Sequence, residues 1–149
     1  MHCCQCDPVV PPSREGTRLS SLLRIMTFGH LILALLYLFI LETTFIFNQL
    51  FCALIAYWSY RTYSYFRAAI YLWILIFSSI TFFGIFGLYV QFNSYYLINS
   101  DYYYYQVVLY AISLAFCCLA IYIGYMSYRE FKALAIETTT SPDPHVCKV

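Results

Sequence analysis

Residues 107–132 read VVLYAISLAFCCLAIYIGYMSYREFK. The first 22 of them carry no charge, and Arg129 and Lys132 follow at once. A bilayer core roughly 30 Å thick takes about 20 apolar residues at about 1.5 Å of rise each, so the stretch reads as a membrane-crossing helix ending at a charged surface. Working outward, three more such stretches cover 22–41, 43–60 and 68–90. Apart from Arg24 near the start of the first, none contains Asp, Glu, Lys or Arg, which are costly within a bilayer.

The cations fall on one side of these stretches. Arg14, Arg18 and Arg24 belong to the start of the first, Arg61 and Arg67 separate the second from the third, and Arg129, Lys132 and Lys148 follow the fourth. The other two connections hold only Glu42 and Asp101. Cytoplasmic loops carry the Lys/Arg excess, so the pattern predicts an orientation as well as a span count. The expected fold is an all-α integral membrane protein with four transmembrane helices in two antiparallel hairpins and both termini cytosolic. A Cys- and Pro-rich tail over 1–21 precedes a transmembrane domain over 22–137, with the fourth span at 107–128, and a second tail covers 138–149. The Pro, Ser and Thr content of both tails predicts disorder.

Composition agrees. The chain is 62% hydrophobic and 10% charged, against about 25% charged in soluble domains. A net charge of +1 gives no global field to attract nucleic acid. The first apolar stretch is longer than a signal-peptide core of about 7–15 residues, and Leu41-Glu42-Thr43-Thr44 offers no small-x-small cleavage site, so it reads as a retained anchor. Thr43 or Thr44 is expected to cap the second helix through its hydroxyl. Residues 91–106 form the one sizeable outer connection, with a turn signal at Asn99-Ser100-Asp101 between Tyr95-Tyr96 and Tyr102 to Tyr105. Many of the 17 tyrosines fall near span ends, as aromatic belts at the two headgroup levels require.

Within the spans, Ser113, Cys117, Ala120, Gly124 and Ser127 recur at steps of 4, 3, 4 and 3, one face of the fourth helix. Small residues let helix backbones approach closely where lipid supplies no hydrophobic drive. Packing inside the bundle is the expected role, with self-association or a partner helix as the alternative. Ser78, Thr81, Gly84 and Gly87 wind around the third span at steps of three, and close packing is expected near the two glycines. Asn48 and Gln49 in span two read as interhelical hydrogen-bonding groups, or as the lining of a substrate path. His30 in span one reads as a neutral imidazole bonded to a neighbouring helix, or as a relay or ligand site.

Of seven cysteines none lies in the outer connections, unlike the patterned outer cysteines of claudins and tetraspanins, so no disulfide framework is implied. Cys3, Cys4 and Cys6 are candidates for reversible palmitoylation. A metal site joining Cys3, Cys6, His145 and Cys147 matches no standard zinc spacing, and no cofactor is expected. No nucleophile-base pair, phosphate loop or paired carboxylates are present, so an enzyme is not expected. In plan the chain resembles small four-span families such as MARVEL-type proteins, COPI-associated Golgi proteins and lysosomal tetraspans, with no motif selecting one. The expected function is a membrane-organising, trafficking or partner-binding component of the endomembrane system or plasma membrane. Its partners would be the bilayer and other membrane proteins or itself. The alternatives are a small channel or carrier, and an accessory subunit of a larger membrane complex.

Overall fold

The computed structural model describes residues 13–96 and 101–140, all helix apart from short turns and caps. Helix α1 spans Arg14–Phe39, α2 Thr43–Thr62, α3 Tyr65–Tyr96 and α4 Asp101–Thr140. Each helix packs against its chain neighbours, and α4 closes the ring on α1. Contacts are most extensive within α1–α2 and within α3–α4, which makes the bundle two hairpins laid side by side.

Every helix presents a seven-residue repeat to the interior. In α1 it is Gly16, Ser20, Leu23, Thr27, His30, Ala34 and Tyr37, and in α2 Phe45, Gln49, Cys52, Ala56 and Ser59. In α3 it is Ala68, Tyr71, Leu75, Ser78 and Phe82. Alternating steps of 3 and 4 average 3.5 residues per turn and keep one seam facing inward along a long helix. The outward faces are the reverse of a soluble protein's. Trp73 and Phe77 are each 73% exposed, while His30, Gln49, Ser59, Ser113 and Ser127 are at most 1% exposed. Hydrocarbon is the solvent that suits such a surface. Helices α1, α3 and α4 are long and apolar enough to cross a membrane. The fourth, α2, is shorter and is made more polar by Asn48 and Gln49 and by the aromatic hydroxyls near its end.

The helix ends differ from the sequence expectations. Residues 14–21, expected as disordered tail, form the first turns of α1, because Ser13 caps them by accepting from the Gly16 amide at 2.9 Å. No threonine caps α2; its N-cap is Glu42, whose side chain makes no capping bond. The Glu42 carboxylate instead accepts from the Tyr110 hydroxyl at 3.3 Å. The connection expected over 91–106 is helical at both sides, since α3 reaches Tyr96 and α4 begins at Asp101. Tyrosine and glutamine carry no backbone defect that would stop a helix, and no Gly or Pro interrupts either flank. Asn99 and Ser100, the turn signal, lie outside the described residues. Helix α4 likewise continues to Thr140, past the expected start of the tail.

Two tight turns use left-handed residues that are not glycine. Leu41 has φ 57°, and the amides of Leu41 and Glu42 bond back to Leu38 and Tyr37 carbonyls in the double pattern that closes a helix C-terminus. Tyr63, with φ 48°, ends α2, and its ring meets Phe131 of α4 edge-on at 5.4 Å. The left-handed conformation costs a non-glycine residue roughly 1–2 kcal/mol, and glycine returns roughly 0.5–1 of that as unfolded-state entropy. Leu41 is 79% exposed, so Leu41→Gly relieves strain and loses little packing. A modest rise in thermal midpoint is expected in detergent for Leu41→Gly, a fall for the β-branched Leu41→Ile, and a fall for Tyr63→Gly, which gives up the Phe131 contact.

Candidate functional site

Two of the three polar residues singled out in α1 and α2, His30 and Gln49, meet inside the bundle. His30 is wholly buried, with Nδ1 2.6 Å from Gln49 Oε1 and Nε2 2.8 Å from the Tyr71 hydroxyl. A carbonyl oxygen only accepts, so Nδ1–H donates to Gln49 and Nε2 accepts from Tyr71. Both ring nitrogens of a neutral imidazole are thereby satisfied. The same ring lies edge-on to Phe116 of α4, with centroids 4.9 Å apart. One side chain of α1 thus touches all three other helices, including α3 on the diagonal.

Asn48 points to a different neighbour, where Ser78 of α3 donates to its Oδ1 at 3.0 Å. The two amides of α2 therefore serve two seams, one toward α1 and one toward α3. The α4 residues Ser113, Cys117, Ala120, Gly124 and Ser127 are all buried. Ser113 accepts from the Tyr37 hydroxyl at 2.7 Å. At Gly124 an added Cβ would sit 3.4 Å from the Tyr71 ring, at van der Waals contact, so α4 packs closely here against the partner of His30.

Glycine placement also corrects an expectation. Gly84 and Gly87 face open space, with nothing within 4 Å of where a Cβ would stand, so neither is a packing point. Their steps of three drift off the inward seam, which passes through Ser78 and Phe82 instead. The close approach lies at Gly29, which sequence reasoning missed: a Cβ there would come within 2.5 Å of the Phe116 ring. Its position immediately before His30 was the only signal available.

Nearer the Leu41 turn, the interior is closed by one aromatic ring from each helix. Tyr37, Phe45, Phe82 and Tyr110 form six mutual ring contacts with centroids 4.6 to 6.5 Å apart. Such geometries are worth about 0.5–1.5 kcal/mol per pair beyond the area buried. A cleft of about 270 Å³ opens on the outer side of this layer between α3 and α4, against Phe86, Ala111, Leu114, Ala115 and Cys118. Among the described residues no group of His, Cys, Asp or Glu is arranged to hold a metal. Cys3, Cys4 and Cys6, proposed for acylation, lie outside the described residues, as do His145 and Cys147.

Ser59 is the exception to this satisfaction, a buried hydroxyl with no hydrogen-bond partner. A buried unpaired polar group costs about 1–3 kcal/mol, so Ser59→Ala should be neutral or stabilising. His30→Ala should instead lower stability by about 2–4 kcal/mol, since it opens a void and orphans Gln49 and Tyr71. Gly29→Ala should cost about 1–3 kcal/mol and be partly rescued by Phe116→Leu, while Gly84→Ala and Gly87→Ala should change nothing by more than about 0.5 kcal/mol. Thermal unfolding of the detergent-solubilised variants, with Phe116→Leu combined with Gly29→Ala, checks all six substitutions.

No protein-family model, no curated protein and no solved structure matches this chain, so its function rests on its own geometry.

Proposed function

We propose that this protein is a four-span membrane component with both termini in the cytosol, which acts by packing against other membrane proteins. The observation that carries this reading is the filled interior. His30, Gln49 and Tyr71 satisfy one another at one level, and the four-ring layer closes another. Groups that would have to bind and release a transported solute are committed to one another, which supports a packing role over a path lined by His30, Asn48 and Gln49.

Helix α2 enters as the fourth span on the strength of its partners. Its amides are the reason it is less apolar than its neighbours, and both are bonded to adjacent helices rather than presented to lipid. The one-sided distribution of the eight cations supports the orientation. Cytosolic tails would expose Cys3, Cys4 and Cys6 to acylation, which would tune sorting rather than attachment, because the spans already anchor the chain.

Glycosylation acceptor sites engineered beside Glu42 and Asp101 should be modified in cells, while sites in either tail should not. Modification of a tail would reverse the topology. For the activity, mild-detergent extraction followed by native gels and cross-linking should give an assembly heavier than the 17.5 kDa chain. Repeated recovery of a lone monomer, or solute flux into liposomes that falls on replacing His30, would defeat the packing reading.

A further inference from the structure

The edge-on contact of Tyr63 with Phe131 ties the α2–α3 turn to α4 and sets two short basic segments at one level. Arg61 and Arg67 flank Tyr63, and Arg129 and Lys132 flank Phe131. We infer that these four cations, set at one level of the bundle by the Tyr63–Phe131 contact, form a basic rim that binds headgroups of anionic phospholipid. This rests on the membrane reading above, which puts that end of the bundle at a leaflet surface.

Charge complementarity is what selects the partner. The one carboxylate within the α4 segment, Glu130, accepts a hydrogen bond from Ser13 of α1. Glu15 is held by Arg18 at 3.7 Å. Glu137 lies almost two turns beyond Phe131 along α4. Among the described residues none of these acids pairs with the four cations, and Arg61, Arg67 and Lys132 meet neutral groups. Arg67 donates to the Thr62 hydroxyl at 2.9 Å, across the turn. The Arg61 guanidinium bonds to the Tyr57 hydroxyl and lies 5.9 Å from that ring's centre, and the Lys132 ammonium lies 5.8 Å from the centre of the Tyr128 ring.

Those two tyrosines stand one turn nearer the bundle middle than the cations they meet. Arg61 and Lys132 therefore fold back toward the bilayer, which is where a phospholipid phosphate sits. The opposite end offers no comparable surface, because no Lys or Arg occurs between positions 25 and 60 or between 68 and 128.

The test uses the full-length protein in a neutral detergent, with phosphatidylcholine, phosphatidylserine or a phosphatidylinositol bisphosphate added and retained lipid read by native mass spectrometry. Anionic lipids should be retained at least tenfold better than phosphatidylcholine, and each replacement among Arg61→Gln, Arg67→Gln, Arg129→Gln and Lys132→Gln should reduce that preference about fivefold. Arg61→Lys and Arg129→Lys should retain most of it, which separates lost charge from lost folding. Equal retention of neutral lipid, or a preference surviving all four replacements, would overturn the proposal. So would soluble inositol trisphosphate binding as tightly as the lipid, which would indicate a site for free phosphate. Because orientation plays no part in detergent, a reversed topology would leave this result standing, and its failure would leave the topology standing.

Discussion

One buried imidazole sets the constraint on which the interior of this bundle depends. His30 carries two polar ring nitrogens at a position fully closed to solvent, and each must find a protein partner. Gln49 and Tyr71 supply them from two different helices, while Phe116 of the fourth packs edge-on to the ring. Interhelical hydrogen bonds in membranes are individually worth only about 0.6 kcal/mol on average. The weight of the arrangement lies in the asymmetry: disrupting it strands a donor or acceptor in hydrocarbon, which costs more than the bond contributed. Helix register is therefore held by the penalty on alternatives.

Such a node needs backbones close together, and the rest of the core reads as provision for that. Gly29 leaves room for Phe116, and Gly124 lies close against Tyr71. Ala56, Ala68 and Ala120, all fully buried, bring α2, α3 and α4 toward the same axis. Toward the Leu41 turn the principle reverses, and four aromatic rings fill the space that small residues would leave empty. The ring layer is itself anchored by polar groups, since the Tyr37 hydroxyl donates to Ser113 and the Tyr110 hydroxyl to Glu42.

Much of this was legible in the sequence, and the parts that were not share a cause. The inward seam of α4 could be read because Ser113, Cys117, Ala120, Gly124 and Ser127 repeat within a single helix, where spacing determines direction. The apolar lengths of α1, α3 and α4 were equally local. The partners of His30 were not legible, since they lie 19 and 41 residues away and depend on how the helices are placed around the ring. Gly84 and Gly87 misled because a step of three resembles a seam over a short run and leaves it over a longer one. The helix ends misled because the Tyr-rich flanks combine polar hydroxyls, which suggest a connection, with backbones that continue a helix without penalty. The start of α1 turned on a single cap, Ser13, whose effect outweighed the composition of the eight residues after Ser13.

The polar character of α2 bears on how such a bundle comes together in a bilayer. On the four-span reading proposed above, α2 alone in hydrocarbon would expose two unpaired amides, and it is the helix least able to compensate with apolar surface. The turn of Ile40, Leu41 and Glu42 leaves almost no slack between α1 and α2, and the hairpin holds His30 opposite Gln49. One amide is then satisfied within the hairpin. Asn48 is not, because its partner Ser78 belongs to α3, and the Nε2 side of His30 waits for Tyr71 of the same helix. Docking of α3 therefore completes two polar contacts at once. Two of the three polar contacts that tie α2 and His30 into the bundle therefore depend on α3, so the first hairpin alone leaves Asn48 and one nitrogen of His30 without the partners they have in the bundle.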